Sequence, residues 1–175
     1  MASGKSALGR ALAAEMGLSF LDLDSAIEQS TGRSISEIFR YEGEASFRSA
    51  ESSVLRSTAE LQNHVIAVGG GTLVSPENMD WALDNGIVVF LDVSLEEIVR
   101  RLTRSRRRRP LVEALRDSPG ELEQYVSGLL AERRPSYERA HLAVQLERST
   151  VRRNARSLAQ AIRLHLQDRR TDSAD

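Results

Sequence analysis

Apolar residues recur at helical spacing from the start of the chain. Leu8, Leu12 and Met16 are four residues apart in an alanine-rich segment, and Gly17 follows as a common helix terminator. The pattern predicts a helix over residues 5–16. Similar patterns predict helices over residues 25–30, 34–40, 44–62, 76–84 and 95–102, a helix that resumes after residue 120 and ends near 139, and a last helix over 154–167.

Short apolar runs between these helices predict β-strands over residues 19–23, 65–68, 87–93 and 142–146. The run 87–93 is apolar except for Asp92, which is typical of a strand buried on both faces of a parallel sheet. Strands that alternate with helices predict an α/β protein with a parallel sheet. Ligands in such folds bind at the carboxyl ends of the strands.

The length of 175 residues favours a single domain, with a polar tail from about residue 168. The longest apolar run, Ile87 to Leu91, is far shorter than the roughly 20 residues of a membrane-spanning helix. The absence of cysteine excludes disulfides and thiol catalysis, and the three separated histidines show no metal-ligand spacing. With no secretory signal recognised, we expect a monomeric cytoplasmic protein that binds no membrane.

The net charge of −1 creates no overall attraction to nucleic acid. Five arginines nevertheless cluster in Arg104–Arg109, inside a segment over about 103–120 that breaks the helical pattern. A nucleic-acid site is one interpretation, but no aromatic residues are interleaved with the arginines. A mobile lid that closes over phosphates also requires arginines, and we favour this interpretation.

The one lysine among 24 basic residues is Lys5, in the segment Ser3-Gly4-Lys5-Ser6 directly before the first predicted helix. Gly-Lys-Ser is the second half of a phosphate-binding loop pattern, in which backbone N–H groups and a helix N-terminus hold phosphate oxygens. Lys5 would neutralise charge on a transferred phosphoryl group, and the Ser6 hydroxyl would bind Mg²⁺. A chance occurrence in a surface loop is the alternative.

Asp22 and Asp24 lie two residues apart at the end of a predicted strand, so both side chains are expected on one face. One carboxylate could organise Mg²⁺ through water while the other takes a proton from a substrate hydroxyl. The alternative is a helix cap at Asp24 with Asp22 solvated.

Three glycines, Gly69, Gly70 and Gly71, follow the predicted strand 65–68 and permit close approach of the backbone to a ligand. Arg48 and Arg133 are candidates for bidentate capture of a carboxylate. A flexible connection and solvated surface arginines are the respective alternatives.

Taken together in order and spacing, these segments resemble the shikimate kinase family, which belongs to the P-loop kinases related to nucleoside-monophosphate kinases. The resemblance covers nearly the whole chain. The matching segments are Ser3-Gly4-Lys5-Ser6, Leu21-Asp22-Leu23-Asp24 with Ile27-Glu28, Thr31-Gly32-Arg33-Ser34-Ile35 with Ile38-Phe39, Gly43-Glu44 with Phe47-Arg48 and Glu51, Gly69-Gly70-Gly71, Arg109-Pro110-Leu111, and Arg133, Pro135 and Tyr137.

The resemblance implies transfer of the ATP γ-phosphoryl group to the 3-hydroxyl of shikimate, on the route to chorismate and the aromatic amino acids. It implies that Asp24 is the base and contacts shikimate, and that Lys5 and the lid residue Arg109 are catalytic. The implied ATP-binding residues are Ser3, Gly4, Lys5, Ser6, Ala7, Arg101 and Arg109. Arg48, Arg133 and the three glycines would bind shikimate, while Ser6, and Asp22 through water, would bind Mg²⁺.

The implied fold is a three-layer P-loop kinase domain over residues 1–175. Its parallel sheet has strand order 2-3-1-4-5, with a lid and a substrate-binding helical region over about 25–62. Family members begin with a strand and a glycine ahead of Ser3, and this sequence has neither. We therefore expect a sheet without its central strand, so that either the start was set too late or the chain is compromised.

Two alternatives to an active shikimate kinase follow. One is a catalytically compromised shikimate-binding protein of the same family. The other is a related small-metabolite kinase such as a gluconate kinase, against which the Gly-Glu-x-x-Phe-Arg pattern and the triple glycine argue.

Overall fold

The computed structural model describes residues 3–104, 115, 118–146 and 149–172. Helices and strands alternate along this part of the chain, as the apolar pattern predicts. In chain order they are α1 (Lys5–Met16), β1 (Ser19–Asp22), α2 (Leu23–Thr31), α3 (Ile35–Tyr41), α4 (Gly43–Ser57), β2 (His64–Ala67), α5 (Pro76–Asn85), β3 (Val89–Asp92), α6 (Leu95–Arg104), α7 (Pro119–Tyr137), β4 (Leu142–Gln145) and α8 (Val151–Asp172).

The described strands form two parallel pairs, β1 with β2 and β3 with β4. Ser19 is opposite His64 in the first pair, and Val89 is opposite Leu142 in the second. They correspond to the pairs 2-3 and 4-5 of the family order 2-3-1-4-5, whose first strand this sequence lacks. The α/β class with parallel strands is therefore confirmed.

No backbone pairing joins β2 to β3 among the described residues. The residues of these two strands instead line a common cavity of 1610 Å³, with Val65 and Ala67 from β2 and Val89 and Leu91 from β3. The carboxyl ends of both strands border this cavity, because Gly69, just after β2, and Asp92, the last residue of β3, line it as well.

The buried apolar residues form three clusters around the strands. In the cluster that places α1, Leu8 and Leu12 pack against Ala155 and Ala159 of α8. The small side chains of α8 let the two helices approach closely. A second cluster joins α2, α3, α4 and α5, and a third joins α6 to α7.

Several element ends differ from the prediction. The helix predicted over 44–62 ends at Ser57, where a 3₁₀ turn (Thr58–Glu60) begins and the Thr58 hydroxyl donates to the Leu55 carbonyl. α8 extends to Asp172, so the predicted polar tail from residue 168 is helical that far, consistent with the good helix propensity of Arg and Gln. Of the predicted lid, residues 105–114, 116 and 117 lie outside the described residues.

Within the described residues, none of the helices combines the length and the apolar character needed to cross a membrane.

Gly9 of α1 provides a test of how tightly this helix packs on the first strand pair. A Cβ at Gly9 would lie 2.6 Å from Cε2 of Phe20, far inside van der Waals contact. We expect Gly9→Ala to lower the free energy of unfolding, because an overpacking cost of about 1–3 kcal/mol exceeds a helix-propensity gain of about 1 kcal/mol.

Urea denaturation measures this change, and Gly128→Ala in α7 is the matched control. A Cβ at Gly128 meets nothing within 4 Å, so that variant is expected to gain stability. Equal stabilisation by both substitutions would contradict the close packing of Gly9 on Phe20.

Candidate active site

The predicted phosphate loop leads directly into the N-terminus of α1. Gly4 caps the helix with φ of 82°, a left-handed conformation that favours glycine, and its carbonyl accepts from the N–H of Leu8. The first N–H groups of α1 and the positive end of its dipole are therefore available to an anion beside Lys5. The local backbone is consistent with the phosphate-binding interpretation of Gly-Lys-Ser.

The Lys5 ammonium group lies between two carboxylates. Its Nζ is 3.4 Å from Oδ2 of Asp24 and 3.5 Å from Oδ1 of Asp22, and the three side chains are partly buried. The structure thus brings together three of the residues that the sequence singles out, from the starts of α1 and α2.

The two aspartates meet for a different reason from the one the sequence suggests. β1 ends at Asp22, and Asp24 already lies in the first turn of α2, so strand alternation does not place them on one face. Asp22 caps this helix by accepting from the N–H of Asp24 at 3.1 Å. The alternative of a cap at Asp24 with a solvated Asp22 is wrong, because the Asp22 side chain is only 10% exposed.

Asp22 is held in its charged form. Burial raises the pKa of its carboxyl, but the hydrogen bond from the Ser6 hydroxyl and the nearby Lys5 charge outweigh burial, so the pKa lies below its ordinary value. The carboxylate therefore stays negative throughout the neutral range.

The adjacent oxygens of Ser6 and Asp22 suit Mg²⁺, which prefers oxygen ligands and keeps several waters. No group of three or more acidic, histidine or cysteine side chains that could hold a metal occurs among the described residues. Any Mg²⁺ here would thus depend on phosphate and water oxygens for the rest of its shell.

Gly69 allows Asp24 to lie close to the glycine loop. A Cβ at this position would be 3.0 Å from the Thr72 hydroxyl, 3.3 Å from Oδ1 of Asp24 and 3.4 Å from Oε1 of Glu51. A side chain at Gly69 would therefore crowd the polar groups that converge here.

Arg48 packs against the same loop from α4. Its guanidinium group would be 2.8 Å from a Cβ on Gly71, and Nη1 donates to Glu51 at 2.7 Å. Glu51 is 2% exposed and also accepts from the Thr72 hydroxyl at 2.7 Å. Burial lowers the pKa of Arg48, but the hydrogen bonds and charges of Glu51 and Glu44 outweigh it and raise the pKa. Arg48 is therefore paired with two carboxylates, although 40% of its side chain remains exposed.

The loop is held from its other side by α7. Arg133 Nη1 donates to the Gly70 carbonyl at 3.1 Å, and the Tyr137 hydroxyl donates to the same oxygen. The Tyr137 ring in turn stacks on Phe90 of β3 at 5.1 Å between centroids. The two candidate carboxylate-binding arginines thus flank one glycine loop, with Arg48 at Gly71 and Arg133 at Gly70.

Arg101 reaches the phosphate loop from α6, where its Nη1 donates to the Ser3 carbonyl at 2.7 Å. Arg109, the other arginine implied for ATP, lies outside the described residues.

Most of the candidate site residues share the cavity that lies between β2 and β3. Its lining includes Ser3, Gly4, Lys5, Ser6, Ala7, Asp24, Gly69, Gly70, Arg101 and Arg133. Asp22 is not part of this lining but forms a salt bridge with Lys5, which is, and neither Arg48 nor Gly71 lines the cavity. One space therefore connects the phosphate loop to the glycine loop.

Sequence reasoning missed the residues that hold this site in place. Glu51 and Tyr137 appear only as part of the family pattern, and Thr72 does not appear at all, although it is 0% exposed. Glu97 does not appear either, yet its carboxylate binds Arg100 and Arg101. The spacing of three between Arg48 and Glu51 on one predicted helix was an available signal for that pair.

A protein-family model for shikimate kinase matches residues 1–163 of the chain. A shikimate kinase of Synechococcus sp. (strain CC9605) is 41% identical over 176 residues, which cover 98% of this chain and 85% of that relative. A shikimate kinase of Salinibacter ruber (strain DSM 13855 / M31) is 41% identical over 151 residues, which cover 85% of this chain and 74% of the relative.

Solved structures give the same result. A shikimate kinase from Bacteroides thetaiotaomicron matches with a TM-score of 0.85 at 30% identity, covering 93% of this chain and 94% of that one. A shikimate kinase from Acinetobacter baumannii, in complex with shikimate, matches with a TM-score of 0.81 at 36% identity, covering 93% of this chain and 88% of that one. The resemblance predicted from the motifs is confirmed, and the chain belongs to the shikimate kinase family.

Proposed function

We propose that this chain transfers the γ-phosphoryl group of ATP to the 3-hydroxyl of shikimate. The observation that carries the proposal is the convergence of groups beside the N-terminus of α1: Lys5 bridges to Asp24, Asp24 lies next to Gly69 of the glycine loop, and Arg133 donates to the Gly70 carbonyl of the same loop. An anion-binding N-terminus suits ATP, and paired arginines suit the carboxylate of a small acid.

Asp24 is the proposed base. Its carboxylate takes the proton of the substrate hydroxyl while that oxygen forms a bond to the γ-phosphorus, and the bond from this phosphorus to the bridging β–γ oxygen breaks. ADP leaves with the electron pair of the broken bond, and the proton passes from Asp24 to solvent. Since such transfers have a loose transition state, positioning and charge neutralisation supply most of the rate.

Lys5 neutralises charge on the transferred group, and the salt bridge to Asp24 keeps its ammonium beside the base. Arg109 is proposed to cover the same charge from the lid. Mg²⁺ would be held by Ser6 and, through water, by Asp22, and it would supply further neutralisation of the phosphate oxygens.

Arg48, Arg133 and the glycine loop are proposed to hold shikimate by its carboxylate and ring. The proposed enzyme is a monomer, which the origin of all these groups in one chain supports. A chain without cysteine is also compatible with a reducing cytoplasm.

The proposal is tested by ADP release with Mg-ATP in the presence and absence of shikimate, with gluconate as the comparison substrate. Turnover that requires shikimate is expected. Binding of shikimate without ADP release, from folded protein, would favour the compromised binding protein, and turnover with gluconate alone would favour the other kinase.

Asp24→Asn is predicted to reduce kcat roughly 100- to 10,000-fold, the usual contribution of a general base. Binding of Mg-ADP, measured by calorimetry, should persist, because the amide is close in shape to the carboxylate. Retention of full turnover in a folded variant would remove Asp24 from the role of base.

Glu44→Gln is predicted to strengthen shikimate binding. Nε and Nη2 of Arg48 both donate to one oxygen of Glu44, at 3.3 and 3.2 Å, and this is a face that a substrate carboxylate would use. Glu44 is 67% exposed, and an exposed helical pair of this kind contributes about 0.3–0.5 kcal/mol, so its loss should lower the KM for shikimate about twofold.

Shikimate methyl ester is the matched control, since it lacks the carboxylate that competes with Glu44. Its inhibition constant should be the same in the parent protein and in Glu44→Gln. A KM for shikimate that rises in the variant would show that Glu44 supports the binding conformation of Arg48 rather than competing for it.

A further inference from the structure

Glu97 on α6 is a buried carboxylate that the proposed chemistry does not use. The residue is 5% exposed, although its neighbours Ile98 and Leu102 already anchor α6 in the apolar core. A buried charge is costly unless it is well paired, so a role beyond packing is expected for it.

The carboxylate of Glu97 accepts charge-assisted hydrogen bonds from two successive arginines. Arg100 donates through Nε and Nη2 at 2.7 and 2.6 Å, and Arg101 donates through Nε at 2.7 Å. The hydrogen bond from Arg100 and the bond and charge of Arg101 outweigh burial and lower the pKa of Glu97 to about 2. Glu97 is therefore ionised throughout the range in which an enzyme works.

The second arginine continues this chain of contacts into the phosphate loop. While Nε of Arg101 is bound to Glu97, its Nη1 donates to the Ser3 carbonyl at 2.7 Å and lies 3.4 Å from the position of a Cβ on Gly4. A planar guanidinium held at both Nε and Nη1 has a defined orientation. Glu97, Arg101 and Ser3 thus join α6 to the residue that precedes the left-handed Gly4.

The same groups border a second cavity, of 640 Å³, on the α6 and α8 side of the loop. Its lining includes Glu97 and Arg101 with Ser3, Gly4 and Asn154. Arg101 also lines the larger cavity, so it lies at the boundary between the two spaces. A change in its orientation would affect the phosphate-loop side of the site, whereas Arg48 and Gly71 line neither cavity.

We propose that Glu97 is a positioning residue for ATP: it acts through Arg101 to fix the entrance of the phosphate loop, and it sets nucleotide affinity without touching the substrates. This inference rests on the proposed kinase function. It differs from a purely structural role because the effect is directed to one of the two substrates.

The test is steady-state kinetics of Glu97→Gln, which keeps the shape and removes the charge. The KM for ATP is expected to rise roughly tenfold, in line with the loss of one charge-assisted hydrogen bond, while kcat and the KM for shikimate change less than about twofold. Because Glu97 is ionised well below neutral pH, the rise should be the same from about pH 6 to 9. Glu96→Gln, at the adjacent exposed position, is the matched control and should leave both KM values unchanged.

A double-mutant cycle with Arg101→Ala tests whether Glu97 acts through Arg101. In the Arg101→Ala background, Glu97→Gln is expected to have no further effect on the KM for ATP. Additive effects, or equal rises in both KM values, would overturn the inference. If Glu97→Gln does not fold, Glu97→Asp keeps the charge and shortens its reach, and it should raise the KM for ATP selectively; an unchanged KM would overturn the inference.

Calorimetric binding of Mg-ADP separates this inference from the proposed function. Weaker Mg-ADP binding by Glu97→Gln, with shikimate binding unchanged, would support the role of Glu97 even if the parent protein showed no turnover. Turnover by the parent protein together with unaltered Mg-ADP binding by the variant would leave the kinase function intact and remove Glu97 from it.

Discussion

The salt bridges of Lys5 with Asp22 and Asp24 are the interaction on which the rest of the site depends. They join the N-terminus of α1 to the N-terminus of α2, two helix starts that are expected to attract anions. With both carboxylates partly buried, the ammonium group is also the cation that makes their burial tolerable. A phosphate group that enters this region would meet Lys5 already oriented, with the proposed base Asp24 beside it.

Around this centre, the other polar residues are arranged in two groups that hold opposite ends of the site. Glu51 fixes Arg48 and Thr72 next to the glycine loop, while Arg133 and Tyr137 share the Gly70 carbonyl from the other side. Glu97 and Arg101 hold the entrance of the phosphate loop. In each group a buried or partly buried polar side chain is paired, so the side chains that border the site are held in defined positions.

Much of the secondary structure could be predicted from the sequence because it is encoded locally. The spacing of Leu8, Leu12 and Met16 and the terminator Gly17 predict α1, and the structure ends that helix at Met16. The apolar run at 87–93 predicts β3, which covers Val89–Asp92. Where tertiary contacts take over, the prediction was less accurate: the helix predicted to residue 62 ends at Ser57, because Thr58 turns the chain toward Asn63 and β2.

The sequence by itself determined the α/β class and the helix that follows Ser3-Gly4, and it supplied the residue types proposed for phosphoryl transfer, since each depends on periodicity or on short motifs. The tertiary structure alone decided which groups meet. Asp22 and Asp24 come together through a helix cap rather than strand alternation. Glu97 is linked to Ser3 through Arg101, which is 98 residues from Ser3 along the chain. Such contacts follow from how helices pack around the strand pairs, and no local pattern of apolar and polar residues records them.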